Sequence, residues 1–166
     1  ERRVDVAIRI GELADSSLRA LPLGSSRLRI LAAPAYLARC GTPVLPADLA
    51  QHQLLGFSTS DNLNLWPLMG EHGDRLAIAP QLKASSGETL RQLALAGEGL
   101  VCLSDFMTAA DRASGALVEV LARSNSGASR PIHADIYTDA QRNPRLRVWL
   151  DFLREKLAIA KKKKKK

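Results

Sequence analysis

The stretch LAAPAYLARCGTPVLPADLAQHQLLGF, residues 31–57, constrains this chain more than any other part of it. Leu28, Ile30 and Ala32 alternate with polar or small neighbours, as a half-buried strand does. Pro34 suits the first turn of a helix, where its missing N–H is not needed. The pattern therefore predicts a helix from Pro34, with Leu37 turned inward beside Tyr36. Gly41 stands where a left-handed C-terminal cap would go, before Thr42-Pro43 forces an extended path. Pro46 opens a second helical turn that carries Leu49 and ends at His52, and Leu54, Leu55 and Phe57 read as a buried strand.

The chain has 166 residues, 46% of them hydrophobic with charge interspersed, which is enough for a core and argues against disorder throughout. One domain or two small lobes fit that length. Its net charge of +7 would point to nucleic acid, but Lys161 to Lys166 carry most of it. With those six set aside, 18 of the 24 basic residues remain against 17 acidic ones, so the body is almost neutral. A terminal run of like charge reads as a solvated tail, native or added. Cys40 and Cys102 lie far apart and read as reduced thiols in or near the core, not as a disulfide framework. No run of about 18 apolar residues and no charged-then-apolar leader is present.

Val4, Val6, Ile8 and Ile10 alternate with Asp5, Ala7 and Arg9 as an opening strand, followed by Gly11 and a loop through Asp15 and Ser16 toward Leu18 to Leu23. Further along, Trp66 and Leu68 read as strand, residues 69–74 as a hairpin loop before Leu76 to Ala79, and Leu82 to Ala84 as another short strand. Ser85 and Glu88 have capping-box spacing at the head of a helix that buries Leu90, Leu93, Ala94 and Gly97. Leu100 to Leu103 is a strand, and Ser104 or Asp105 can cap a helix carrying Phe106, Met107 and Ala110. Gly115 turns the chain into Leu117 to Leu121, and Arg123 to Arg130 is a polar loop. Ile132, Ala134 and Ile136 alternate as a strand. Asn143-Pro144 starts a helix with Leu146, Leu150, Leu153 and Leu157 on one face.

Taken together, DVAIRIG at 5–11, residues 23–57, SSGETLRQLALAGEGLVCLSDF at 85–106, GALVEVL at 115–121 and RLRVWLDFLREKL at 145–157 resemble LysR-type transcriptional regulators. The match lies in their C-terminal effector-binding domain. The resemblance implies an α/β, two-lobed, periplasmic-binding-protein-like (type II) fold with a small molecule held between the lobes. Residues 1–32 and 134–160 would form the first lobe and 33–133 the second, with 161–166 as a poly-lysine tail. Family members carry a winged helix-turn-helix, a linker helix and two strand-helix units before the segment that matches Asp5 to Gly11. Those parts are not in this sequence, so the first lobe is expected to be incomplete, with an exposed sheet edge. The piece alone is expected to bind no operator DNA, and the parent to be a cytoplasmic homo-oligomer that reaches DNA through the helix-turn-helix.

Candidate effector contacts follow. Ser85 and Ser86 sit at a helix N-terminus after a strand, where free N–H groups and positive dipole suit an anion, although capping alone would also explain them. Arg9 is at a strand end that the resemblance points toward the ligand; its alternative is a solvent-facing ion pair. Ser104 and Phe106 flank Asp105 at a strand-to-helix junction, where open α/β sheets bind ligands, although by itself Phe106 reads first as a core residue. Phe57 could wall a pocket and Ser58 donate a hydrogen bond. Catalysis finds little support. His52, His72 and His133 are isolated and read as surface or satisfied side chains, with no H-E-x-x-H and no cysteines at zinc spacing, so neither metal nor cofactor is expected. Gly97-Glu98-Gly99 leads from helix into strand, the reverse of a dinucleotide turn, and no G-x-S-x-G occurs. A free-standing periplasmic solute receptor or an enzyme are the alternative readings.

Overall fold

The computed structural model describes residues 6–11, 19–69, 73–136 and 144–162, without the side chains beyond 156. Calls that rest on Val4, Asp15, Ser16, His72, Asn143, the side chain of Leu157 or the end of the lysine tail lie outside these residues. Two compact units divide the chain: Glu1–Ser26 with Arg130–Lys166, and Arg27–Ser129.

In the first unit, β1 (Val6–Ile10) pairs antiparallel with β9 (Ser129–Ile136), placing Val6 opposite Ile136 and Ile10 opposite Ile132. The predicted alternation puts Ile132, Ala134 and Ile136 on one face, buried with Leu23 and with Leu150 of α4 (Pro144–Lys162). Leu146 and Leu153, spaced around Leu150 at helical period, pack against the same cluster. Ile8 departs from expectation: it stands on this face opposite Ala134 yet is 44% exposed. Ala134 offers it only a methyl group. On the other face Arg9 stands opposite His133 and forms an ion pair with Asp135. Asp135 is buried with its second oxygen unpartnered, and His133 Nδ1 is also buried without a partner, so His133 is neither the surface nor the satisfied residue expected.

Over the described residues a single strand, β2 (Arg19–Ala32), replaces the predicted succession of segments that ends at Ala32, and the call on Leu18 lies outside them. Its residues from Arg27 onward enter the second unit, whose sheet runs β2, β7 (Leu100–Ser104), β3 (Leu54–Phe57), β6 (Leu82–Ala84). β7 is antiparallel to β2, with Leu28 opposite Ser104 and Leu31 opposite Val101. β3 is parallel to both β7 and β6. All five residues of β7 are buried, as a strand with parallel pairing and both faces covered requires. Period-two alternation sorts the core. Leu28, Ile30, Leu54, Leu100 and Cys102 join Tyr36, Leu49 and Trp66 in one cluster. Leu31, Leu55, Val101 and Leu103 join Leu90 and Ala94 in the other. Each large aliphatic side chain so buried contributes roughly 1.5–3 kcal/mol.

Residues 34–57 form the predicted elements. α1 (Pro34–Cys40) begins at its proline, a 3-10 turn spans Pro46–Gln51, and the Asp48 carboxylate accepts from the Val44 and Leu45 N–H groups at 2.8 Å each. Those two bonds hold the Asp48 carboxyl below the usual carboxylate range. Tyr36 is the centre of the segment. Its hydroxyl accepts from Gln53 N–H at 2.9 Å and lies 3.0 Å from His52 Nδ1, while burial pushes the phenol up against the opposing effect of the Gln53 bond. Leu37 is only half-buried. Gly41 has positive φ (84°) but ψ 168°, so it leaves α1 in an extended path and not through a left-handed cap. Cys40 is exposed, contrary to the core position expected for it: it lies one turn beyond Tyr36 on the same face, at the last residue of α1, where the helix runs out of core to pack on; Cys102 is buried.

β4 (Leu65–Trp66) and β5 (Leu76–Ala77) pair antiparallel around the predicted hairpin loop, and Leu68 bridges to Asn125 outside either strand. α2 (Gly87–Leu95) buries Leu90 and Ala94, and Arg39 donates to the Gly97 carbonyl beyond its end at 2.8 Å. α3 (Ala109–Ser114) stops at Gly115 in a left-handed conformation, and β8 (Val118–Glu119) pairs with β2.

Candidate ligand site

Because β3 is parallel to its neighbours on both sides, the carboxyl ends of β6, β3 and β7 lie along one edge of the second unit's sheet. Phe57 pairs with Ala84, and Ser58 N–H donates to the Ala84 carbonyl at 3.0 Å. Leu55 pairs with Val101, so two residues on Phe57 is level with Leu103 and Ser58 with Ser104. Neighbouring strands are about 4.8 Å apart, so the three ends span about 10 Å. That is the length of a small metabolite.

Ser58, Ser85 and Ser86 are exposed along this edge, and Phe57 is half-buried. Ser86 is the N-cap residue of α2 in extended conformation, with no side-chain cap hydrogen bond. The capping box expected from Ser85 and Glu88 does not form. Glu88 Oε1 accepts from Arg91 and Gln92 at 2.8 Å each and is drawn forward along the helix, away from the N–H groups it would have capped. The Gln92 bond first, with Arg91, holds its carboxyl below the usual range. The head of α2 thus keeps its first-turn N–H donors and positive dipole end for another acceptor.

Ser104 ends β7 and is 4% exposed. Neither it nor Asp105 caps a helix: the chain turns through 105–107, and α3 starts only at Ala109, with Thr108 at its N-cap. Asp105 is held by two arginines instead. Arg29 Nε donates to its Oδ1 at 2.9 Å and Arg112 Nη2 at 2.8 Å. Arg29 also donates to Glu119 at 2.8 and 2.9 Å. Burial lowers the Arg29 pKa, but the Glu119 and Asp105 carboxylates outweigh it and raise the group overall. Phe106 is carried outward by this turn and is 51% exposed, which removes the core-packing alternative. Its neighbour Met107 turns inward. A Cβ built on Gly87 would stand 3.0 Å from Met107 Cε and 3.6 Å from Phe57 Cζ, so the Phe57 ring, the Met107 methyl and the head of α2 close on one another.

Sequence reasoning missed the groups that set this geometry. Asn64, 4% exposed, clamps Phe57 at both backbone atoms: its Oδ1 accepts from Phe57 N–H at 2.8 Å and its Nδ2 donates to Phe57 O at 2.9 Å. A further ion pair fixes α2 to α3, with Arg91 Nε and Nη2 donating to the two oxygens of Asp111 at 2.6 Å each. That pairing, chiefly the hydrogen bonds from Arg91, holds Asp111 below the usual range and raises Arg91. Only Gly87 left a sequence signal, a glycine directly after the two serines. Arg9 belongs to the first unit, where it pairs with Asp135.

Residues 1–158 match the LysR substrate binding domain. The chain belongs to that family. Its α/β fold is accordingly of the periplasmic-binding-protein-like type II class. The LysR domain here is 50% identical over 157 residues to the HTH-type transcriptional regulator CrgA of Neisseria meningitidis serogroup B, covering 95% of this chain and 52% of that protein. It is 32% identical over 143 residues to the HTH-type transcriptional activator AaeR of Escherichia coli K12, covering 85% and 45%. Among solved structures it is similar to the CrgA regulatory domain from Neisseria meningitidis, with TM-score 0.84 and 49% identity over 94% of this chain and 76% of that one. The chain thus spans about half the length of the curated relatives it matches. Among the described residues no helix is long and apolar enough to cross a membrane.

Proposed function

We propose that this LysR domain is the effector-sensing part of a DNA-binding transcriptional regulator of the bacterial cytoplasm. In this reading a small molecule with an anionic group binds at the carboxyl edge of β3, β6 and β7. The observation that carries it is the uncapped head of α2 beside Phe57 and Met107, where N–H donors and an apolar wall converge. Ser86, Ser85 and Ser58 supply hydroxyls, Phe57 and Phe106 apolar contact, and Ser104 the floor at the end of β7. Arg9 is proposed as an anion contact of its own unit. The two compact units correspond to the two lobes. DNA contact belongs to a helix-turn-helix outside these residues, in a homo-oligomeric parent, and the domain performs no catalysis. Regulation requires that the effector favour one conformation of the domain over another.

The test is a thermal-shift screen of the purified chain against small carboxylates, followed by methyl NMR of Met107. A ligand present at about 100 times its Kd adds roughly 2.7 kcal/mol of stability. At least one carboxylate is expected to raise Tm and move the Met107 methyl resonance. If every stabilising ligand leaves that resonance unmoved, the assignment of the edge fails.

A further inference from the structure

We propose a second small-molecule site, at the amino ends of β3, β6 and β7 and so across the sheet from the edge described above, that takes a zwitterionic amino acid with an amide side chain. A cavity of about 380 Å³ lies there, within the roughly 300–1,000 Å³ of ligand pockets. Gln53 and Gln81 each stand one residue before their strands, β3 and β6, and Glu98 stands two residues before β7. Because these strands run parallel, the three residues gather at one edge, and with Tyr36 and Arg39 of α1 they line the cavity. All of them belong to the second unit.

Backbone contacts fix the floor. A Cβ on Gly99 would collide with the Gln53 carbonyl, so the chain entering β7 lies directly against the chain entering β3, and Leu100 N–H donates to that carbonyl at 2.9 Å. Gln81 is tied to the first residue of β3 twice: its N–H donates to the Leu54 carbonyl at 3.1 Å, and its Oε1 accepts from Leu54 N–H at 2.8 Å. Its Nε2 hydrogens are left for an acceptor in the cavity. Arg39 is anchored as well, with Nη2 on the Gly97 carbonyl at 2.8 Å and its guanidinium 5.8 Å from the centre of the Tyr36 ring, so its other N–H groups are held in place for a ligand. Glu98 follows Gly97 directly, which sets an anion beside this cation. Among the described residues neither makes an ion pair, with the other or elsewhere. A free amino acid carries both complements, a carboxylate for Arg39 and an ammonium for Glu98, each in a charge-assisted hydrogen bond. The remaining wall selects the side chain. Gln51 joins Gln53 and Gln81 there, and Leu82 is the one aliphatic residue of the lining, so amide donors and acceptors prevail over apolar surface. A primary amide both donates and accepts and so answers these groups, whereas a hydrocarbon would take water from them and return no hydrogen bond.

The test uses the whole chain and reads the thiol of Cys40, which is exposed and lines the same cavity, while Cys102 is buried. Alkylation of Cys40 by iodoacetamide is followed by mass spectrometry in the presence of L-glutamine, N-acetyl-L-glutamine, L-glutamine α-amide or L-leucine. L-Glutamine is expected to slow the reaction saturably, at least fivefold. It should do so at concentrations at least tenfold lower than the three analogues, which lack the ammonium, the carboxylate and the side-chain amide respectively. E98Q, a change at an exposed side chain, is expected to weaken L-glutamine at least tenfold with no change in the urea midpoint. R39Q is expected to weaken it equally and, by losing the bond to Gly97, to lower the midpoint as well. Alkylation that L-glutamine does not slow, equal protection by any analogue, or protection that survives E98Q or R39Q overturns the proposal. A Met107 methyl shift without protection of Cys40 would also overturn it and would assign L-glutamine to the other edge, so the two proposals fail by different signals.

Discussion

Arg29 of β2 and Asp105, the residue after β7, meet at 2.9 Å between Nε and Oδ1, with side chains 17% and 13% exposed. Arg112 reaches the same carboxylate oxygen and Glu119 holds the other end of Arg29, so two acids and two bases tie β2, β7, β8 and α3 together. Removing one member leaves half-buried charges short of partners. Asp105→Ala is therefore expected to cost about 2–3 kcal/mol of unfolding free energy in urea titration. A loss below about 0.5 kcal/mol would show that the arginines re-pair without it.

The Arg91–Asp111 pair predicts a pH dependence. Asp111 is held below its unfolded pKa of about 3.9 by Arg91, so its contribution is full above that value and is lost as pH falls through the lower folded value. Denaturation midpoints between pH 6 and pH 2 should therefore fall more steeply for the wild type than for Asp111→Asn. Parallel curves for the two proteins would remove Asp111 from the acid transition.

Asn64 fixes the backbone at Phe57 by two hydrogen bonds, and Asn64→Ala leaves both backbone groups to find new partners. The expected cost is about 2–3 kcal/mol, with weaker ligand binding because the Phe57 ring loses its position. Stability from chemical denaturation and ligand Kd should move together; a large stability loss with unchanged Kd would separate Phe57 from the site.

Tyr36→Phe removes one oxygen that serves Gln53 N–H and His52 Nδ1. About 1–2 kcal/mol should be lost, since both groups then lack the partner they have in the folded chain. Wild-type stability in the phenylalanine variant would mean that water or a shifted His52 replaces the hydroxyl completely.

Gly87→Ala places a methyl carbon where Phe57, Met107 and the head of α2 close together. The nearest atom is the flexible methyl of Met107, so stability should change by less than about 1 kcal/mol. Ligand-induced stabilisation, in contrast, should drop at least tenfold in apparent affinity. Unchanged binding would place the ligand elsewhere.

Local pattern carried much of the fold. Pro34 and Pro46 mark their helical starts because the restriction they impose is covalent, and β7 is visible as LVCL because a strand buried on both faces needs no alternation. Side-chain destinations were harder to read. Ser85 and Glu88 have capping-box spacing, but Arg91 and Gln92 compete for the same carboxylate and win. Phe106 reads as core by type, yet the hold of Arg29 and Arg112 on Asp105 sets a turn that carries the ring outward. Asn64 could not have been singled out: its partner is seven residues away through a chain reversal that no periodicity reports. For the candidate site, the three strand ends were legible as positions, whereas their shared edge depends on the parallel pairing of β3 with both neighbours.

β7 carries one consequence for the chain before it folds. Leu100–Ser104 is apolar, uncharged and free of proline, and each of its pairings in the sheet is with residues distant in sequence, 46 positions away at Leu54 and 76 at Leu28. Both partner strands are made before it, but until they close those long loops the segment that centres the native sheet is also well suited to pair with another copy of itself. Glu98 on one side and Asp105 on the other bracket it with negative charge, so that Asp105, which holds two arginines in the folded domain, also stands at the flanking position from which a charge opposes such pairing.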